Sequence, residues 1–289
     1  MNKLPSLTRV DTLEIPSDFY WRAGLDNNIY WWKKTEYEDA SKSLVMNIWS
    51  NRETMKKDYP IRSSSALLFV DRKSQLYFGE TYAIGGKVDV FDLEGNLQWN
   101  WEVPKRIHSF AVTVDKQGAL WFVTTEVENN TIYSYDPTNG LLSLPFPGVD
   151  TVYGIVIMDY SKIYSIQNPT VGHIVMCSDF SGNVLHKLGK VDLKKYDPDN
   201  QEYWPIYYPE NIHLDEFSRL WIDEMGRRCL TIVDSSLNII GRYDHKDFGL
   251  QTPIGGYKFG FGAKMLCVIE PKETAEITLH SYIIEEDQS

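Results

Sequence analysis

Seven side chains able to hold a metal or move a proton, Glu80, His108, Glu210, Asn211, Asp223, Glu224 and Glu270, stand at the flanks of a recurring apolar sequence. Tyr153, Gln167, Ser109 and Thr124 occupy matching flanks of other copies. If the fold brings these flanks together, the acids with Asn211 and His108 make an oxygen-rich nest suited to Ca²⁺ or Mg²⁺, with Glu210, Asn211, Glu224 and Glu270 as ligands. In open water the same residues are only a polar rim. Convergence depends on register, because a slip of one residue turns every strand side chain to the opposite face.

Other apparent motifs carry less chemistry. Gly79–Lys87 resembles a phosphate loop, but its spacing is wrong, Val88 replaces the hydroxyl residue and no helix follows. Asp197-Pro-Asp199-Asn-Gln-Glu202 begins like a calcium loop without its glycine or terminal glutamate. The histidines never pair at metal spacing, and no serine sits in a nucleophile elbow. Asp26, Asp71, Asp115, Asp159 and Asp215 recur too regularly for catalysis; each is expected to cap the amides of a tight turn.

The flanking elements are hairpins. Phe110-Ala-Val-Thr-Val-Asp115-Lys-Gln-Gly118-Ala-Leu120-Trp121-Phe-Val123 sets two β-branched and aromatic runs around an Asp/Gly turn. Its counterparts turn at 26, 71, 159, 215 and 260, a period of about 45 residues with one insertion of about a dozen. Further strand pairs follow, as at Lys87–Trp101, Thr131–Leu144, His173–Leu185 and Cys229–Ile240. Four strands per repeat predict an all-β, six-bladed β-propeller with four-stranded antiparallel blades. The last repeat ends one strand short after Glu276–Ile284, and Arg9–Pro16 aligns with the missing strand. An N-terminal strand is thus expected to close the last blade and leave no open edge, giving one domain over residues 1–289. In such a fold, ligands sit where inner strands begin and second strands end, which selects the flanks named above.

The insertion falls at about 187–209. Tyr203, Trp204, Tyr207 and Tyr208 make it either a binding lip or a lid packed on the blades.

The net charge of −11 and pI near 5.1 set a field that repels nucleic acid and anionic lipid and favours basic proteins or cations. No apolar signal core or membrane-length run occurs, so a cytoplasmic monomer is expected. Cys177, Cys229 and Cys267 lack pairing spacing and read as buried free thiols.

Val114–Phe122 with Asn130–Gly140, and Pro209–Asp215 with Arg219–Ile222, resemble blades of the NHL, SMP-30/gluconolactonase-like and streptogramin-lyase-like propellers. The likeness spans about residues 66–245 and concerns blade type. It implies a divalent metal held by an early glutamate, an asparagine and an aspartate. Here Asp18-Phe-Tyr-Trp21 replaces the early glutamate pattern, Pro209-Glu210-Asn211 stands at the asparagine and Glu224 at the later aspartate. The paired His and Glu of the lyases have no counterpart. Two functions follow: a non-catalytic propeller binding a protein, basic by charge, or a small molecule through an acidic, aromatic face, in an inhibitor, immunity or scaffold role; or a divalent-metal-dependent hydrolase or lyase.

Overall fold

The computed structural model describes residues 4–33, 43–61, 66–79, 87–103, 107–124, 131–146, 152–159, 161–167, 172–191, 204–250, 259–271 and 276–286. These residues contain strands and no helix, so none is long and apolar enough to cross a membrane. An N-terminal strand, β1 (Leu7–Pro16), precedes the first blade, β2 (Phe19–Ala23), β3 (Ile29–Lys33), β4 (Leu44–Ser50) and β5 (Glu53–Tyr59). The second is β6 (Ala66–Val70), β7 (Leu76–Gly79), β8 (Lys87–Phe91) and β9 (Leu97–Glu102). The third is β10 (Ile107–Val114), β11 (Leu120–Thr124), β12 (Thr131–Asp136) and β13 (Gly140–Pro145). The fourth is β14 (Val152–Met158), β15 (Lys162–Gln167), β16 (Gly172–Ser178) and β17 (Val184–Val191). The fifth is β18 (Pro209–Leu214), β19 (Leu220–Glu224), β20 (Cys229–Val233) and β21 (Ile239–Tyr243). The sixth contains β22 (Phe259–Phe261), β23 (Met265–Pro271) and β24 (Glu276–Ile284).

Each blade is an antiparallel four-stranded sheet, and the sixth has the order β1-β24-β23-β22. The expected closure therefore holds: Leu7 pairs with Ile284 and Pro16 with Glu276, with one bulge between Arg9 and Asp11. Blades three to five form one compact unit, and blades one, two and six another.

Burial grades across the blades. Every residue of β19 and β20 is buried, as befits strands covered on both faces, whereas β5, β9, β13 and β21 are largely exposed or half-buried. The outermost strand of the first blade is charged; Glu53-Thr-Met-Lys-Lys-Asp-Tyr59 discourages edge-to-edge pairing. In the first unit, Val156, Tyr164, Val175, Ile206, Ile212 and Ile222 pack across the fourth and fifth blades. In the second, Tyr30, Met46, Tyr59, Phe78 and Phe91 join the first and second. All three cysteines are free and buried.

The recurrent aspartates explain both halves of the repeat. Asp115 Oδ1 accepts from the amides of Gln117, Gly118 and Ala119, and its Oδ2 accepts from Trp121 Nε1 at 2.8 Å. Asp215 caps Phe217 and Arg219 and accepts from Trp221 Nε1 at 2.9 Å. Asp26 and Asp71 likewise accept from Tyr30 and Tyr77 hydroxyls. The aromatic residue of the aliphatic–aromatic pair is thus a buried ring whose polar tip ties it to the turn.

Three expectations shift. Asp159 sits at φ 50° and pairs with Lys116 at 3.1 Å instead of capping its turn, while Tyr164 donates to Ser235 O at 2.7 Å. Gly260 lies within β22, not in the sixth turn; a side chain there would collide with the Trp21 ring, and the reversal falls at Gly262–Met265. Finally, β17 continues to Val191, so the insertion begins later than its composition implied.

Candidate functional site

The predicted flanks meet most fully where β18 begins and β19 ends. Pro209 pairs with Glu224 and Asn211 with Asp223, so Glu210 is the extra residue of a β-bulge. A bulge frees its residue from the ladder and re-aims the side chain. The same irregularity between Val152 and Gly154 leaves Tyr153 bulged on β14. A Cβ on Gly154 would stand 3.2 Å from Ile212 Cγ2 and 3.4 Å from Ile212 N. Its absence lets β14 and β18 lie close, with both bulged residues at the same end.

The acids at this end are used very differently. Glu224 is fully buried and saturated. Its Oε2 accepts from Arg227 Nη1 and from the Tyr207 amide at 2.7 Å; its Oε1 accepts from Thr231 Oγ1 and from Arg242 Nε at 3.2 Å. The two arginines extend this hub to the segment entering β18: Arg227 Nη2 donates to Trp204 O, and Arg242 Nη2 to Pro205 O at 2.8 Å. The result is an aromatic arm, residues 204–208, fastened to the β19–β20 hairpin. Gly226 completes the seat, because any side chain there would run into the Tyr207 ring.

Asp223 has no such support. It is 2% exposed, its Oδ1 has no hydrogen-bond partner, and burial followed by the charges of Glu210 and Glu224 pushes its carboxyl up to about 7. Glu210 is half-buried; its Oε2 is shielded and unpartnered, and burial raises its carboxyl above the ordinary range. The nearby cations Arg227 and Arg242 face Glu224. Two carboxylates thus share one end of the blade with a deficit of donors.

His173, at the start of β16, forms the far wall of the arm. It is 2% exposed, and neither ring nitrogen has a hydrogen-bond partner. Its ring centroid lies 5.3 Å from those of Trp204 and Tyr207 and 4.1 Å from that of Tyr208. Burial, then the Arg227 charge, lower it to about 4, so it is neutral in ordinary buffers. Gly189, at φ 113°, passes so close to the His173 carbonyl that a Cβ would overlap it. Tyr208 is held at φ 45°, an uncommon conformation for a bulky residue, with its carbonyl accepting from Met225 N at 2.9 Å.

The structure therefore brings Glu210, Asn211, Asp223 and Glu224 together, with Tyr153 and Gln167 on the neighbouring blade. Gln167 is buried and donates to Ser165 Oγ at 3.0 Å. Trp204 and Tyr207 pack inward as a lid would, while Tyr208 remains half-buried. Glu270 belongs to the other unit, where its Oε2 bonds His280 Nε2 at 2.7 Å. Arg9 Nη2 contacts His280 Nδ1 and can only donate, which fixes the proton on Nε2 and joins β1 to β24 and β23. Glu80 and Tyr203 lie outside the described residues, as do the side chains of His108, Ser109 and Thr124. Among the described residues no group of three His, Cys, Asp or Glu is placed to hold a metal ion.

Sequence reasoning missed His173, Arg227, Arg242 and Thr231. The Arg227-Arg228 pair, beginning three residues after Glu224, was the available signal, since an acid followed by arginines across one hairpin turn favours an internal ion pair.

No family model and no curated protein matches the chain. Solved structures do. A streptogramin B lyase aligns with TM-score 0.54 and 16% identity over 92% of this chain and 78% of its own. A gluconolactonase of Xanthomonas campestris aligns with TM-score 0.56 and 14% identity over 95% and 89%. YCF48, solved bound to D1 peptide, aligns with TM-score 0.54 and 11% identity over 100% and 96%. These likenesses show the six-bladed propeller fold.

Proposed function

We propose that the chain is a non-catalytic binding propeller that recognises a protein or other ligand at the acid–aromatic end of its fifth blade. The observation that carries this reading is Glu224. The carboxylate standing at the family's metal-ligand position is consumed by two arginines, a threonine and an amide, and it fastens an aromatic arm. A carboxylate so neutralised serves a rigid recognition surface better than it serves a metal. The peptide complex of YCF48 supports the reading by analogy of fold alone.

The second reading, a metal-dependent lactonase-like hydrolase, is favoured by Asp223, whose carboxyl near 7 matches what a general base requires. Ca²⁺ or Mg²⁺ would then be held by Glu210 and Asn211 with further donors. Metal content of protein purified without chelator, together with turnover of a lactone panel, separates the two. Metal-free, inactive protein that binds peptides agrees with the binding reading. Stoichiometric metal that leaves on Glu210→Gln, with lactone turnover, overturns it.

A further inference from the structure

Beyond the Glu224 hub and the turn aspartates, the described residues place buried polar groups in the Arg9–His280–Glu270 chain, in His173 within its aromatic cage, and in the Glu210–Asp223 pair. The first is satisfied internally, and the second is sealed behind Trp204 and Tyr207. The third is not satisfied.

We propose that Glu210 and Asp223 form a receptor for one protonated amine or guanidinium group, such as a lysine or arginine side chain of the partner. This inference rests on the binding reading and names its chemistry. Asp223 Oδ1 and Glu210 Oε2 are both shielded acceptors without a donor, although burying a carboxylate unpaired is costly. The two arginines at this end, Arg227 and Arg242, are committed to Glu224 and to the carbonyls of Trp204 and Pro205. A cation that also brings N–H donors would satisfy both acceptors. A divalent metal fits less well, because the third carboxylate at this end, Glu224, is taken up by Arg227, Arg242 and Thr231, and no group of three His, Cys, Asp or Glu is placed to hold a metal among the described residues. An ammonium needs only acceptors, and both carboxylates supply them.

The surroundings agree. Glu210 is the bulged, half-buried residue of the pair, and Asp223 the deeply buried one. Half-buried Tyr153 and Tyr208 stand at the same end, and aromatic rings beside a carboxylate pair favour an alkylammonium stem or a guanidinium plane. The net charge of −11 draws such a group in.

The test is an NMR titration of the full chain with blocked tetrapeptides that differ at one position: lysine, arginine or norleucine. The lysine and arginine peptides should shift the amides of Glu210, Asn211 and Asp223 saturably. Binding should weaken at least tenfold in Glu210→Gln, a substitution at a half-exposed position that leaves the Glu224 hub intact, and likewise in Asp223→Asn. Equal binding of the norleucine peptide, undiminished in Glu210→Gln, overturns the cation receptor while leaving peptide recognition standing. If no peptide binds and CaCl₂ instead shifts the same amides, losing its effect in Glu210→Gln, both the receptor and the binding reading fall.

Discussion

Replacing Asp223 by asparagine should stabilise the free protein, and by an amount that depends on pH in a defined direction. Burial, Glu210 and Glu224 raise this carboxyl from 3.8 to about 7. At about 1.4 kcal/mol per tenfold change in proton affinity, ionised Asp223 costs the folded state at most about 4 kcal/mol. The folded pKa lies above the unfolded one, so between pH 4 and 7 the folded chain holds a proton that the unfolded chain has lost. Stability attributable to this group therefore falls as pH rises through that window and stays reduced above it. Asparagine has the same shape and no charge, and its amide can donate to Glu210. The gain over wild type should be near zero at pH 4, intermediate at pH 6 and greatest at pH 8. Urea unfolding of both proteins at these three pH values measures it. A variant less stable than wild type at pH 8, or a difference that does not change with pH, would refute the reasoning that Asp223 is buried without compensation.

Glu224→Gln should act in the opposite sense: it leaves half-buried Arg227 without its anion at a fully buried site and should cost about 3 kcal/mol, with earlier proteolysis at residues 204–208 as a local readout. Gly189→Ala should be severely destabilising, because a Cβ would overlap the His173 carbonyl and φ is 113°; failure to express as a folded protein at 37 °C, with native circular dichroism in Lys190→Ala, is the expected contrast. Asp215→Ala removes two amide caps, the Trp221 bond and a buried pair with Arg219 at 2.7 Å, and should cost about 3 kcal/mol or more. The exposed Asp159→Ala should change urea stability by less than about 1 kcal/mol, since it loses only a surface pair with Lys116.

The contrast between Asp215 and Asp159 shows what was legible in the sequence. Blade count, strand order and the closing role of β1 follow from periodic apolar runs, which report directly on which faces are buried. The link between each turn aspartate and its aromatic partner was hidden, although both residues were visible, because it depends on the ring's polar tip reaching back across the turn. Gly260 misled for a related reason: glycine signals a turn or a close approach equally, and here it makes room for Trp21. At the site, Glu210, Asn211, Asp223 and Glu224 could be placed together from strand positions alone. Their division of labour could not. Adjacent Asp223 and Glu224 look equivalent in sequence, yet strand alternation sends one toward Glu210 and the other toward Arg227 and Arg242. His173 reads in the sequence only as a strand residue, since its cage is built by an arm that begins more than thirty residues later in the chain.

The most direct measurement is a crystal structure of the chain soaked with the blocked lysine peptide. The account predicts the ammonium nitrogen about 3 Å from both Glu210 Oε2 and Asp223 Oδ1, with its stem against Tyr153 or Tyr208. A metal ion bridging the two carboxylates, or the peptide bound elsewhere with the pair sharing only a proton and water, would contradict it.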